Sequence, residues 1–114
     1  MPTFDADKAL DQIEGDTEGL SILLSTFNRI SPNQIEELRV AIDEENGEKL
    51  AALAHRFKGS LGLFAAEPAA KITRHLENDA VAADFKNARE TLAELESECE
   101  QLKTDLATFL RSTE

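Results

Sequence analysis

The sequence is short of residues on which many other folds depend. It has no Tyr or Trp, and only five Gly and three Pro in 114 residues, so it lacks the turn signals that many short strands require. Its single cysteine, Cys99, excludes an intrachain disulfide and a cysteine-rich zinc site. We therefore expect an all-α protein, and the reducing cytoplasm is the simplest location for it.

Membrane and targeting features are missing as well. No run of about 18 apolar residues occurs, and the amino terminus has no basic stretch followed by an apolar one. No repeat or flexible linker divides the chain, which predicts one domain over residues 1–114. The start at Met1 favours a free-standing protein over a fragment of a larger kinase.

The charge balance excludes two classes of partner. Twelve Lys and Arg stand against 23 Asp and Glu, a net charge of −11. Nonspecific nucleic-acid binding and attraction to an anionic membrane both need an excess of cations, so neither is expected. Apolar residues make up 41% of the chain, which is typical of a globular domain and not of a disordered acidic tail.

Hydrophobic residues recur at helical spacing along the chain and predict an antiparallel four-helix bundle with a short N-terminal capping helix. The last segment is the most regular, and it places Cys99 in the buried stripe as a small apolar side chain. An intermolecular coiled coil is the alternative for this stripe, but the other apolar helices can receive it, which favours a monomer. The predicted segments are residues 4–13, 16–46 with a bend at Ser31–Pro32 read as a helix start, 48–66, 67–79 and 85–109.

One histidine of the third segment is predicted to face solvent. On a helical wheel, His55 points about 150° away from the buried direction. Its neighbours on that face are small or cationic: Ala51, Ala52, Gly59, Gly62 and Lys58. A glycine inside a helix costs about 1 kcal/mol relative to alanine. We therefore expect a partner to approach this backbone closely.

Basic residues cluster around the same histidine. Residues 54–75 contain four cations and the single acid Glu67, whereas the rest of the chain holds eight cations and 22 acids. An exposed imidazole beside a lysine suits chemistry in which the ring carries an anion, which points to phosphoryl transfer. The other three cations are expected to steer a partner electrostatically; they are Arg56, Lys71 and Arg74.

The run Ala54-His55-Arg56-Phe57-Lys58-Gly59-Ser60, with Leu76-Glu77 further on, resembles the signature of histidine-containing phosphotransfer (HPt) domains. Phe57 replaces the usual Leu, and Ala65 stands where a Gly is common. The resemblance implies that His55 accepts a phosphoryl group from a receiver-domain aspartyl phosphate, or from a histidine kinase, and passes it to another receiver. It further implies that Lys58 stabilises the phosphorylated ring, that Gly59 leaves room for the receiver, and that the chain has no kinase or phosphatase activity.

The resemblance also implies that this chain needs no cofactor or metal of its own, because the Mg²⁺ for the transfer belongs to the receiver. The main alternative is a helical docking module that binds receivers without being phosphorylated, through residues such as Gly59, Gly62 and Arg56. A kinase dimerisation hairpin is disfavoured, because no acidic residue directly follows His55. A metal hydrolase is disfavoured because His75, expected to be an ordinary solvated residue, is too distant in sequence to pair with His55. The donor, the acceptor and the direction of transfer stay open.

Overall fold

The computed structural model describes residues 2–113, which form five helices and no strand. The last four make a closed bundle in which α2 packs on α3, α3 on α4, α4 on α5, and α5 on α2. Connections of three or four residues make consecutive bundle helices antiparallel, which confirms the predicted fold class. The helices are α1 (Ala6–Asp11), α2 (Thr17–Asp43), α3 (Gly47–Gly62), α4 (Glu67–Val81) and α5 (Phe85–Ser112).

Polar caps determine where three of the bundle helices begin. In each, a side-chain oxygen accepts a hydrogen bond from a backbone N–H of the first turn; the caps are Asp16 for α2, Asn46 for α3 and Asp84 for α5. The sequence reading of Asn46–Gly47 as the end of α2 was therefore wrong. Asn46 starts the following helix, and α2 has already ended at Asp43.

Helix α2 runs without interruption through Pro32. The prediction of one long element is confirmed, but the interpretation of Ser31 as a helix start is wrong. Ser31 lies inside the helix at 1% exposure, and its hydroxyl has no hydrogen-bond partner among residues 2–113. A proline removes only one backbone donor, so packing on both sides of the kink position is enough to carry the helix through it.

The turn after α3 also differs from the predicted end near Ala66. Helix α3 ends at Gly62, and the chain reverses through Ala65, whose φ of 51° lies in the left-handed region. This is the position where the related signature commonly has glycine, which adopts such a φ without steric cost. The reversal buries Phe64 and Ala66 in the core, at 1% exposure each.

The core that supports α3 is built around three phenylalanines. Phe27 of α2 lies 6.0 Å from Phe57 and 5.4 Å from Phe64, measured between ring centroids. Leucines from every bundle helix surround them, and Cys99 of α5 is buried at 3% exposure as predicted. Because Phe57 is anchored in this way, the rotation of α3 about its axis is fixed, and with it the direction of the opposite face.

The amino-terminal segment closes one end of the bundle. Helix α1 is shorter than the predicted residues 4–13, because Asp5 caps it by accepting from the backbone N–H of Lys8. Phe4 thus precedes the helix and packs edge-to-face on Phe109 of α5, with centroids 5.7 Å apart. Among residues 2–113 no helix is long and apolar enough to cross a membrane.

Candidate functional site

His55 stands on the outer face of α3, with its side chain 75% exposed. The residues on either side of the opposite face, Ala54 and Phe57, are at 0% and 1% exposure. The predicted solvent-facing orientation is therefore confirmed. It follows directly from the helical repeat, because burying Phe57 turns His55 outward.

Small residues surround His55 on that face. A Cβ added at Gly59 or at Gly62 would meet no atom within 4 Å, so the packing of the chain itself requires glycine at neither position. Ala52 is exposed and Ala51 is half-buried against the core. These four residues, called the small-residue face below, leave the backbone of α3 open to a partner beside the imidazole.

Helix α4 brings a carboxylate to the histidine. Oε2 of Glu77 lies 3.5 Å from Nδ1 of His55, and its other oxygen, Oε1, lies 2.6 Å from Nζ of Lys58. The side chains of Lys58 and Glu77 are only 26% and 22% exposed. Oε1 of Glu77 is buried and accepts no hydrogen bond of regular geometry within residues 2–113, so the Lys58 ammonium is what compensates the burial of this charge.

Glu77 is the site residue that sequence reasoning missed. It was quoted only as the end of the Leu76-Glu77 pair in the resemblance, and it lies 22 positions from His55 on a different helix. No spacing rule within α3 could have found it. The motif pair was the available signal, since Leu76 is fully buried and its neighbour is thereby held at the edge of the α3–α4 seam.

The predicted basic cluster is largely neutralised by acids from neighbouring helices. Arg56 contacts Glu37 of α2 at 3.4 Å, and Arg74 contacts Glu67 at 2.5 Å. The hydrogen bond and the charge of Arg74 hold the pKa of Glu67 below its usual value. Together with the Lys58–Glu77 pair, three of the four cations are thus engaged, which a charge count along the sequence could not show.

An apolar groove borders the small-residue face on the α2 side. Leu63 and Ile30, at 51% and 37% exposure, line it. Phe27, Phe64 and Ser60 complete a groove of about 100 Å³. Leu63 therefore does both things that the sequence left open, since it contacts the adjacent helix and remains exposed beside the site.

The second histidine lies elsewhere. His75 of α4 lines a polar groove shared with α5, where its neighbours include Asp79 and Glu90. Lysine and small residues do not surround it there. In the described part of the chain, no group of three or more His, Cys, Asp or Glu side chains could hold a metal ion.

An antiparallel helical bundle that presents one exposed imidazole, with a lysine, a carboxylate and an open backbone beside it, is a module built to offer a histidine to a partner. Residues 22–107 match the family model of the Hpt domain, and the chain belongs to this family. Its function is histidine phosphotransfer in phosphorelays, which confirms the predicted family and function.

The fold is similar to one solved structure of the same class. The crystal structure of histidine-containing phosphotransfer protein B (HptB) from Pseudomonas aeruginosa PAO1 superposes with a TM-score of 0.86. The two chains are 22% identical, and the match covers 97% of this chain and 96% of the other. A comparison with curated protein sequences gave no significant match.

Proposed function

We propose that His55 is the residue that carries the phosphoryl group. It receives the group from the aspartyl phosphate of a receiver domain, or from a histidine kinase, and passes it to an aspartate of another receiver. The observation that carries the proposal is the position of His55, exposed between Lys58 and the small-residue face. His75, in its polar groove, has no such surroundings.

The contact with Glu77 selects which ring nitrogen reacts. A carboxylate beside Nδ1 favours the proton on that nitrogen, and Nε2 then carries the lone pair. In the transfer, Nε2 attacks phosphorus, the new N–P bond forms, and the bond from phosphorus to the aspartyl oxygen breaks. The aspartate leaves as a carboxylate, and the proton stays on Nδ1, where Glu77 offsets the positive charge that the ring acquires.

Lys58 supports the phosphorylated ring in this proposal. An ammonium has three N–H donors, so Lys58 keeps its contact with Glu77 while donating to a phosphoryl oxygen on Nε2. The small-residue face, with Gly59 and Gly62 at its centre, receives the receiver backbone. Arg56, whose contact with Glu37 is long and exposed, is free to exchange that partner for an acid of the receiver.

The chain acts as a monomeric carrier without kinase or phosphatase activity of its own. The acidic residues and the Mg²⁺ that assist the transfer belong to the receiver, where they neutralise the charge of the phosphoryl group. A cytoplasmic location fits such partners, and it fits a chain whose one cysteine is a free thiol.

Incubation with a ³²P-labelled receiver domain tests the proposal. We expect an acid-labile, alkali-stable label on the wild-type protein and on His75→Gln, and none on His55→Gln. Label that persists in His55→Gln would overturn the assignment of His55.

The open space at Gly59 and Gly62 also fits a docking module that is never phosphorylated. The same experiment separates the two functions. Tight receiver binding by both wild type and His55→Gln, with no label on either from any receiver or kinase, would favour the docking module.

A further inference from the structure

We propose that Glu77 makes the site selective for phosphoryl groups delivered by a protein, by excluding free phosphate and small-molecule phosphodonors from His55. The inference rests on the proposed role of His55. It assigns to Glu77 a specificity that is separate from its effect on the ring tautomer.

The Lys58–Glu77 pair is the basis of this selectivity. At 2.6 Å and with both side chains about one-quarter exposed, the ammonium and the carboxylate form a neutral unit beside His55. A free phosphate dianion that approaches Nε2 meets the carboxylate as well as the ammonium. The pair therefore gives it no net electrostatic attraction, whereas a lone lysine would.

The other cations of α3 are engaged in the same way. Lys49 contacts Glu44 at 3.8 Å and Arg56 contacts Glu37 at 3.4 Å. Every Lys and Arg of this helix thus has an acidic partner. With a net charge of −11 on the whole chain, small anions are repelled from the protein before they reach the imidazole.

A receiver does not depend on that attraction. Its contacts with the small-residue face and the neighbouring groove position the phosphoryl group, and its own cations neutralise the charge. Positioning replaces the electrostatic capture that a free anion would need. The result is a histidine that is 75% exposed yet reacts with donors that dock.

Phosphoramidate is a suitable small donor for the test. In the reaction with His55, the bond from Nε2 to phosphorus forms and the P–N bond of phosphoramidate breaks. Ammonia leaves with the hydrogens already on its nitrogen, and Nδ1 of His55 keeps its own proton. No further reactant is needed.

The decisive variant is Glu77→Gln, because the amide oxygen can still accept from Nδ1–H while the negative charge is removed. Glu37→Gln is the matched control, since it removes the same charge from the partner of Arg56. In NMR titrations with inorganic phosphate, we follow the His55 ring and Lys58 signals. We expect Glu77→Gln to bind phosphate about tenfold more tightly than wild type, the size expected from removing one charge near a dianion, and Glu37→Gln to change the affinity less than about twofold.

Labelling by phosphoramidate provides the second readout. We expect the label on Glu77→Gln to form about tenfold faster than on wild type or Glu37→Gln. Equal phosphate affinity and equal labelling in all three proteins would overturn the proposal. Phosphate binding needs no receiver, so this outcome is distinct from a failure of His55 to accept a phosphoryl group, which the labelled receiver detects.

Discussion

The backbone of Gly47, at the start of α3, packs directly against the carbonyl of Ala80 near the end of α4. A Cβ on Gly47 would lie 2.7 Å from that carbonyl oxygen, closer than real Cβ atoms come. This contact keeps α3 and α4 together at one end, and the same two helices hold His55 and Glu77 further along. Gly47 is therefore structural, in contrast to Gly59 and Gly62, which face open space.

The contrast predicts opposite effects of the same substitution. Gly47→Ala should lower the free energy of unfolding by about 1–3 kcal/mol, because the Ala80 backbone must move. Gly59→Ala should raise it by about 0.5–1 kcal/mol, because alanine is the better helix former and nothing obstructs its methyl group. Urea denaturation followed by circular dichroism measures both. Equal effects of the two variants would contradict the assignment of Gly47 to packing and Gly59 to docking.

A larger residue at Gly59 should separate folding from transfer. We expect Gly59→Leu to remain folded and to lose at least about tenfold in the rate of transfer from a phosphorylated receiver, since the side chain fills the space meant for the partner backbone. Ala93→Leu is the control, because Ala93 is exposed on α5, away from the small-residue face. Undiminished transfer to Gly59→Leu would show that the receiver docks elsewhere.

Loss of Lys58 should slow transfer without preventing it. We expect Lys58→Ala to reduce the single-turnover rate about ten- to hundredfold, the range for one charge-assisted contact, and Lys58→Arg to recover part of it. Lys49→Ala removes another paired cation of α3 and should have little effect. If Lys49→Ala slows transfer as much as Lys58→Ala does, the effect is one of overall charge and not of contact with the phosphoryl group.

Cys99 should make stability fall at alkaline pH. Burial raises the pKa of its thiol from 9.0 to about 12, so in this interval the folded protein keeps a proton that the unfolded chain loses. Stability is therefore lost as the pH rises above 9, by up to about 1.4 kcal/mol per pH unit. Cys99→Ala lacks this contribution, and its stability relative to wild type should improve by about 2 kcal/mol between pH 8 and pH 10.5. Urea denaturation under reducing conditions tests this, and a gap that does not change with pH would contradict it.

Features that depend on a local repeat could be predicted from the sequence. The stripe of α5, the burial of Phe57 and the outward direction of His55 all follow from helical periodicity, and the structure confirms each of them. Helix boundaries were less certain, as Asn46 and Ser31 show. Whether a polar residue caps a helix or continues one depends on the packing around it, which a linear pattern does not contain.

By itself the sequence determined that the chain is helical, that His55 faces solvent beside Lys58 and small residues, and that it resembles the phosphotransfer family. Only the tertiary structure decided which charges meet. It brings Glu77 of α4 between His55 and Lys58 and places Glu37 of α2 against Arg56. The basic cluster of the sequence thereby becomes a set of ion pairs. The reason is that Coulomb interactions depend on distance through space, which is set by how the helices pack and not by the order of residues along the chain.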